Sequence, residues 1–242
     1  MQGVWRELAG LVLPVDCAGC GRPRTELCAG CRRVLARDGR GARRVRPWPE
    51  PVGLPRVWAG TPYADEARAV LLAHKERGAL RLAGPLGAVL AGAVRGLRTG
   101  AGPLLLVPVP SARRSVAGRG HDPVRRIALA AAGELRRAGR GARVLAVLRQ
   151  HRAVADQAGL SARQRLANVA GALEVRPGAA RLLTAQPAVL VDDLVTTGAT
   201  LAEAARAVTA AGGRVAGAAV VAAPSSAFEF NGARSEALPR RM

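Results

Sequence analysis

The chain has 242 residues, 49% hydrophobic and 22% charged. That is enough apolar material for one substantial α/β domain with a small appendage, or at most two domains, and it excludes disorder over most of the length. Charge is the outlying quantity: 37 Lys plus Arg oppose 17 acids for a net +20, and Lys75 is the single lysine. Residues 22–46 hold nine arginines against Glu26 and Asp38, and residues 113–152 hold eleven against Asp122 and Glu134. Charge so localised favours a polyanionic partner or substrate, with a merely soluble basic surface as the alternative. Aromatics at 2% leave little from which to build a base-stacking platform. No apolar run approaches the roughly 18 residues of a membrane helix. The first residues carry Glu7 and lack a small-residue cleavage site, so neither export nor membrane insertion is expected and the expected location is the cytoplasm.

In chain order, residues 4–13 have the spacing of a short amphipathic helix. Cys17, Cys20, Cys28 and Cys31 follow as C-x2-C-x7-C-x2-C. Each C-x2-C forms a turn that aims two thiolates at one point, and two such turns complete a four-sulfur site suited to structural Zn²⁺. Disulfides are the rival in an exported protein, and a redox C-x-x-C the rival with one copy rather than two. The stretch from Arg32 to Pro55 reads as a basic linker with little regular structure. Arg56–Tyr63 has strand character, and Asp65–Arg77 and Arg81–Leu97 are helical. Leu104–Val107 is an apolar run suited to a parallel strand buried on both faces, and it stops at Pro108-Val109-Pro110.

A helix is expected over Pro123–Arg137 and a strand over Arg143–Leu148. Ser161 and Gln164 form a capping box that opens a helix to Val169. Strands follow at Gly171–Val175, Ala188–Val191 and 214–223, with a helix at 200–211. The alternation implies a parallel sheet flanked by helices, an α/β domain over 56–224. Before it lie the cysteine module (1–45) and a basic Pro-rich linker (46–55), and after it an irregular, poorly ordered tail (225–242). His74, His121 and His151 are too scattered along the chain to propose as metal ligands.

The chemistry concentrates in Val189-Leu-Val-Asp-Asp-Leu-Val-Thr-Thr-Gly-Ala-Thr200. An apolar strand ends in Asp192 and Asp193, where open α/β sheets bind ligands. A loop with Thr196, Thr197, Gly198, Ala199 and Thr200 then leads into a helix, for which Thr200 and Glu203 offer a capping box. Free N–H groups and the helix dipole favour a phosphate there. Carboxylates beside a phosphate pocket are matched to vicinal hydroxyls, which together describe ribose 5-phosphate. An acidic strand-to-helix turn is the plain alternative.

This segment resembles the signature of type I phosphoribosyltransferases, which bind phosphoribosyl pyrophosphate (PRPP) with Mg²⁺. The resemblance implies that fold, with Asp192 and Asp193 as the catalytic acids on the ribose hydroxyls and residues 196–200 on the 5′-phosphate. It also implies a pyrophosphate loop over Pro108, Val109 and the following Ser111-Ala-Arg113-Arg114. Arg113, Arg114 and Arg119 either contact phosphates or are solvated. Lys75 either reaches a PRPP or acceptor oxygen or is a chance survivor. Residues 149–160 are either a mobile hood or an exposed loop.

The cysteine module, the element Tyr63–Lys75, and Gln157-Ala-Gly-Leu-Ser161 leading through Arg165 and Asn168 to Gly171 narrow the resemblance to the ComF family. After Arg119-Gly120 that family usually has an aromatic residue, Asn and Gln, where this chain has His121, Asp122 and Pro123. It also has Glu76 where an aromatic usually follows the helix lysine. Membership implies a role in natural competence, with single-stranded DNA and competence-machinery proteins as partners. The alternative is an active transferase that moves ribose 5-phosphate from PRPP to an unidentified base or amine.

Overall fold

The computed structural model describes residues 16–36, 41–97, 99–100, 102–111, 120–152 and 161–228. The expected helix at 4–13 lies outside them. The elements begin with helix α1 (Ala29–Leu35), strands β1 (Arg43–Val45) and β2 (Val57–Pro62), and helix α2 (Asp65–Glu76). A short 3-10 turn (Leu80–Leu82) leads into α3 (Ala83–Gly96), followed by β3 (Leu104–Pro108) and α4 (Pro123–Arg137). Next come β4 (Ala142–Val144), β5 (Leu148–Gln150), α5 (Ala162–Val169), β6 (Leu173–Val175) and α6 (Ala180–Thr184). Strand β7 (Ala188–Leu194), helix α7 (Ala199–Ala210) and strand β8 (Val215–Ala223) complete the set.

Six strands form one sheet in the order β1-β2-β8-β7-β3-β4, parallel except for β1, while β5 and β6 pair as a separate antiparallel ribbon. The continuous apolar runs occupy the middle of the sheet because both faces are covered. Leu104, Leu106, Val189 and Val191 pack with α2, α3 and α4, whereas Leu105, Val107 and Leu190 pack under α7. Each fully buried aliphatic side chain contributes roughly 1.5–3 kcal/mol of transfer free energy. Alternation within a run thus builds two cores at once.

Small residues set the layer spacing. A methyl group added at Gly87 on α3 would lie 2.8 Å from the Ala131 backbone nitrogen of α4. Gly87→Ala is expected to destabilise the chain by about 1–3 kcal/mol through forced separation of the two helices. A denaturation midpoint equal to that of the parent chain would contradict this.

Three segments differ from expectation. The stretch 32–55 is not all irregular: α1 runs to Leu35, and Arg43–Val45 adds an antiparallel edge strand to the main sheet. The single strand expected over 143–148 is split, with Ala142–Val144 on the sheet edge and Leu148–Gln150 in the ribbon. The break lets Val147 and Leu148 both enter the core beneath α7. The stretch expected to be irregular from Ser225 begins with a 3-10 turn, Ser225–Ala227; Ala227 and Phe228 are buried, Phe228 bridges to Val45, and 229–242 lie outside the described residues. The Arg43 guanidinium lies 4.5 Å from the Phe228 ring centre, a cation–π contact that holds this end against β1.

Candidate functional site

The site forms at the carboxyl ends of β7 and β3. Asp193 faces Lys75 of α2, and at the end of the strand the Asp192 carboxyl lies close enough to that of Asp193 for the two to interact directly. Asp193 is buried and its Oδ2 lies 2.9 Å from Lys75 Nζ. Lys75 reaches it from the last turn of α2. Asp192 Oδ1 accepts a 2.8 Å hydrogen bond from the Asp193 backbone N–H. Burial pushes the Asp192 carboxyl well above the ordinary range and the Asp193 charge adds to the rise, with Lys75 opposing both.

That shift has a consequence for stability. With its folded pKa above the unfolded one, Asp192 stabilises the fold at pH below the unfolded value, and the contribution is lost as pH rises through the folded value. Asp192→Asn keeps the acceptor oxygen and removes a half-buried charge that sits beside the Asp193 carboxylate. Its melting temperature is expected to exceed that of the parent by a few degrees at and above neutral pH, with the difference vanishing in acid. A lower melting temperature at pH 8 would contradict this.

The loop after β7 turns sharply. Gly198 has φ +77° and ψ −2°, a left-handed conformation that glycine adopts without strain. A side chain there would also meet Leu54 at 3.0 Å, because the 46–55 segment straps over the loop through Leu54 and Pro47. Gly198, not Thr200, caps α7, and the helix starts at Ala199. The expected Thr200–Glu203 capping box is therefore not formed, since Thr200 already lies inside the first turn. Glu203 instead accepts a 3.0 Å bond from the Leu173 N–H and pairs with Arg206, which ties α7 to β6. The N–H groups of that first turn lack intrahelical partners and face the loop. The Thr196 hydroxyl accepts a 3.2 Å bond from Arg165 of α5. The Thr197 hydroxyl lies 3.5 Å from the Ala199 N–H.

Strand β3 ends alongside. Pro108 is in register with Val191, and the Val109 N–H donates to the Val191 carbonyl at 2.9 Å. Pro108, Val109, Asp192, Asp193, Lys75 and residues 196–200 thus share one end of the sheet. Arg113, Arg114 and Arg119 lie outside the described residues, as does 153–160 of the expected hood. The described part of that segment is held in place: Arg149 and Gln150 belong to β5, and Arg152 donates to the Asn168 carbonyl at 3.0 Å.

The chain matches no protein-family model and no curated protein.

The four cysteines form a second site. Their sulfurs all lie within 4.8 Å of one another and none is in a disulfide. Tetrahedral Zn–S bonds of about 2.3 Å place sulfurs about 3.8 Å apart, and Cys20 and Cys28 are at 3.7 Å. Burial opposes ionisation of Cys17, but N–H donors led by Cys28 overcome it and lower the thiol to about 6. The Cys31 N–H lowers Cys28 as well. The cluster is a possible structural metal site, consistent with Zn²⁺. It shares a core with Ala67, Val70 and Leu71 of α2, the helix that carries Lys75.

Two histidines separated in sequence meet in space. The His74 and His121 ring centres are 5.8 Å apart. Both His74 ring nitrogens lie beside carbonyls, of Ala79 at 3.2 Å and Pro123 at 3.4 Å. His121 Nε2 lies 3.2 Å from the His74 carbonyl. Burial lowers the His74 pKa. The pair joins the end of α2 to the start of α4. There Asp122 accepts the Arg125 N–H as N-cap and Pro123 occupies the first turn, so His121, Asp122 and Pro123 together open α4. Arg165 and the Leu54 strap reach the site across the fold, from positions distant in sequence. Among the described residues no helix is long and apolar enough to cross a membrane.

Proposed function

We propose that this chain is a ComF-like protein with a type I phosphoribosyltransferase domain. In this reading it binds PRPP with Mg²⁺ at the end of β7 and acts in natural competence, handling incoming single-stranded DNA in the cytoplasm, with Zn²⁺ bracing the cysteine module. The observation that carries the reading is the succession of an acidic pair at a buried strand's carboxyl end, a left-handed Gly198 and a helix N-terminus. Asp192 and Asp193 would hold the ribose hydroxyls, residues 196–200 the 5′-phosphate, and Pro108 and Val109 the pyrophosphate side. Lys75 would aim Asp193 through their 2.9 Å contact, and Mg²⁺ would screen the diphosphate.

DNA handling is supported by charge. Arg22, Arg24, Arg32 and Arg33 are all exposed around the cysteine module, and phosphate contacts bring affinity without sequence preference. Competence-machinery proteins would be further partners. The second reading, transfer of ribose 5-phosphate to an acceptor, is favoured by a cleft of about 560 Å³ that opens beside Pro108.

Calorimetric titration of PRPP with and without Mg²⁺ tests the binding claim: saturable heat with metal is expected, and no heat would overturn it. A salt titration of oligonucleotide binding tests the DNA role. Affinity is expected to fall steeply with salt, whereas a flat response would remove that role.

A further inference from the structure

The cleft beside Pro108 has a chemistry of its own. Its apolar lining is formed by the buried Pro108 and Leu148 with the exposed Ala146, and its cationic lining by Arg125, Arg149 and Arg176. These guanidiniums come from three separate elements: the first turn of α4, strand β5, and the turn after β6. Among the described residues Asp122 is the single acid on the lining, and it is already engaged as the N-cap of α4. Arg149 pairs with Glu174 at 2.7 Å. Arg125 and Arg176 are exposed and carry no ion pair among the described residues.

With no ion pair of their own, Arg125 and Arg176 leave forked guanidinium donors available to an anion. A volume of about 560 Å³ falls within the range of small-molecule sites, roughly 300–1,000 Å³. The apolar lining suits an organic body better than an inorganic ion. Gln150 adds an amide that both donates and accepts.

We infer that this cleft is the acceptor pocket and that it takes an organic anion, a flat apolar body bearing a carboxylate or a phosphate. The assignment as acceptor pocket rests on the sugar-phosphate reading of Asp192, Asp193 and Gly198; the anion chemistry rests on the cleft alone. Pro108 links the two, since it lines the cleft and sits in register with Val191, one residue before Asp192. The anionic group would be held by Arg125 or Arg176, and the ring would lie on Leu148 and Ala146, with Pro108 left to the pyrophosphate side.

The test uses the full chain and three probes measured by calorimetry or ligand-detected NMR: benzoate, phenyl phosphate and the neutral benzamide. At least one anion is expected to bind about tenfold or more better than benzamide, and which anion prevails separates carboxylate from phosphate. The Arg125→Gln/Arg176→Gln variant, altered only at exposed positions, is expected to lose about tenfold or more of that affinity, as the loss of one or two charge-assisted hydrogen bonds implies. Its melting temperature and its affinity for PRPP with Mg²⁺ should be unchanged. Equal binding of benzamide, or anion binding indifferent to the substitutions, overturns the anion chemistry. Loss of PRPP affinity in the variant assigns these arginines to the diphosphate and overturns the acceptor role. If the parent chain discriminates the probes but never binds PRPP, the sugar-phosphate reading falls and takes the acceptor role with it, while the anion site stands.

Discussion

The variant Asp192→Asn/Asp193→Asn is expected to lose PRPP affinity by about a hundredfold or more while remaining folded. Hydrogen bonds to charged groups contribute about 1.5–3 kcal/mol each, and two carboxylates facing a ribose diol would lose at least two of them. The amides also end the electrostatic arrangement in which Lys75 sits 2.9 Å from Asp193. Folding should survive because amide and carboxylate share a shape, and because Asp192 is held at an energetic cost that the substitution relieves. The measurement is calorimetry with PRPP and Mg²⁺ alongside a thermal melt. An unchanged dissociation constant in a chain that melts normally would refute the assignment of these acids.

The Cys28→Ser/Cys31→Ser variant should show the second large effect. Both thiols are buried among Leu27, Leu35 and the α2 residues Ala67, Val70 and Leu71, so the module is part of the main core. Removing two ligands of a four-sulfur site costs metal affinity and the folding free energy coupled to it. The expected loss is on the order of several kcal/mol, a melting temperature lower by roughly 10 °C. Cobalt substitution reads the site directly: the parent chain should give the absorption of a tetrahedral thiolate complex and the variant should not. Equal stability, or a cobalt spectrum without sulfur ligation, would contradict a structural metal role.

Much of this architecture is legible in the sequence. The buried strands announce themselves as apolar runs, and the helix at 123–137 has the predicted bounds because Asp122 and Pro123 fix its start chemically. The Ser161 capping box forms as its spacing predicts. What the sequence hides depends on tertiary partners. Thr200 and Glu203 have the spacing of a capping box, but a left-handed Gly198 starts the helix earlier and Glu203 serves β6 instead. Arg43–Val45 has no apolar pattern that marks a strand, and it pairs because β2 offers a free edge. Within the site, the acids, threonines and Gly198 stand in one continuous stretch and can be read directly. Their supports, Lys75, Arg165 and the strap through Leu54, arrive from distant positions that no local spacing connects.

The central claim is that a sugar phosphate sits where β7 turns into α7. A crystal soaked with ribose 5-phosphate tests it most directly. Density for the phosphate against the backbone amides of 197–200, with the ribose hydroxyls on Asp192 and Asp193, is the predicted result. A soaked crystal in which that turn stays clear while the sugar phosphate binds elsewhere, or nowhere at saturating concentration, would contradict the account.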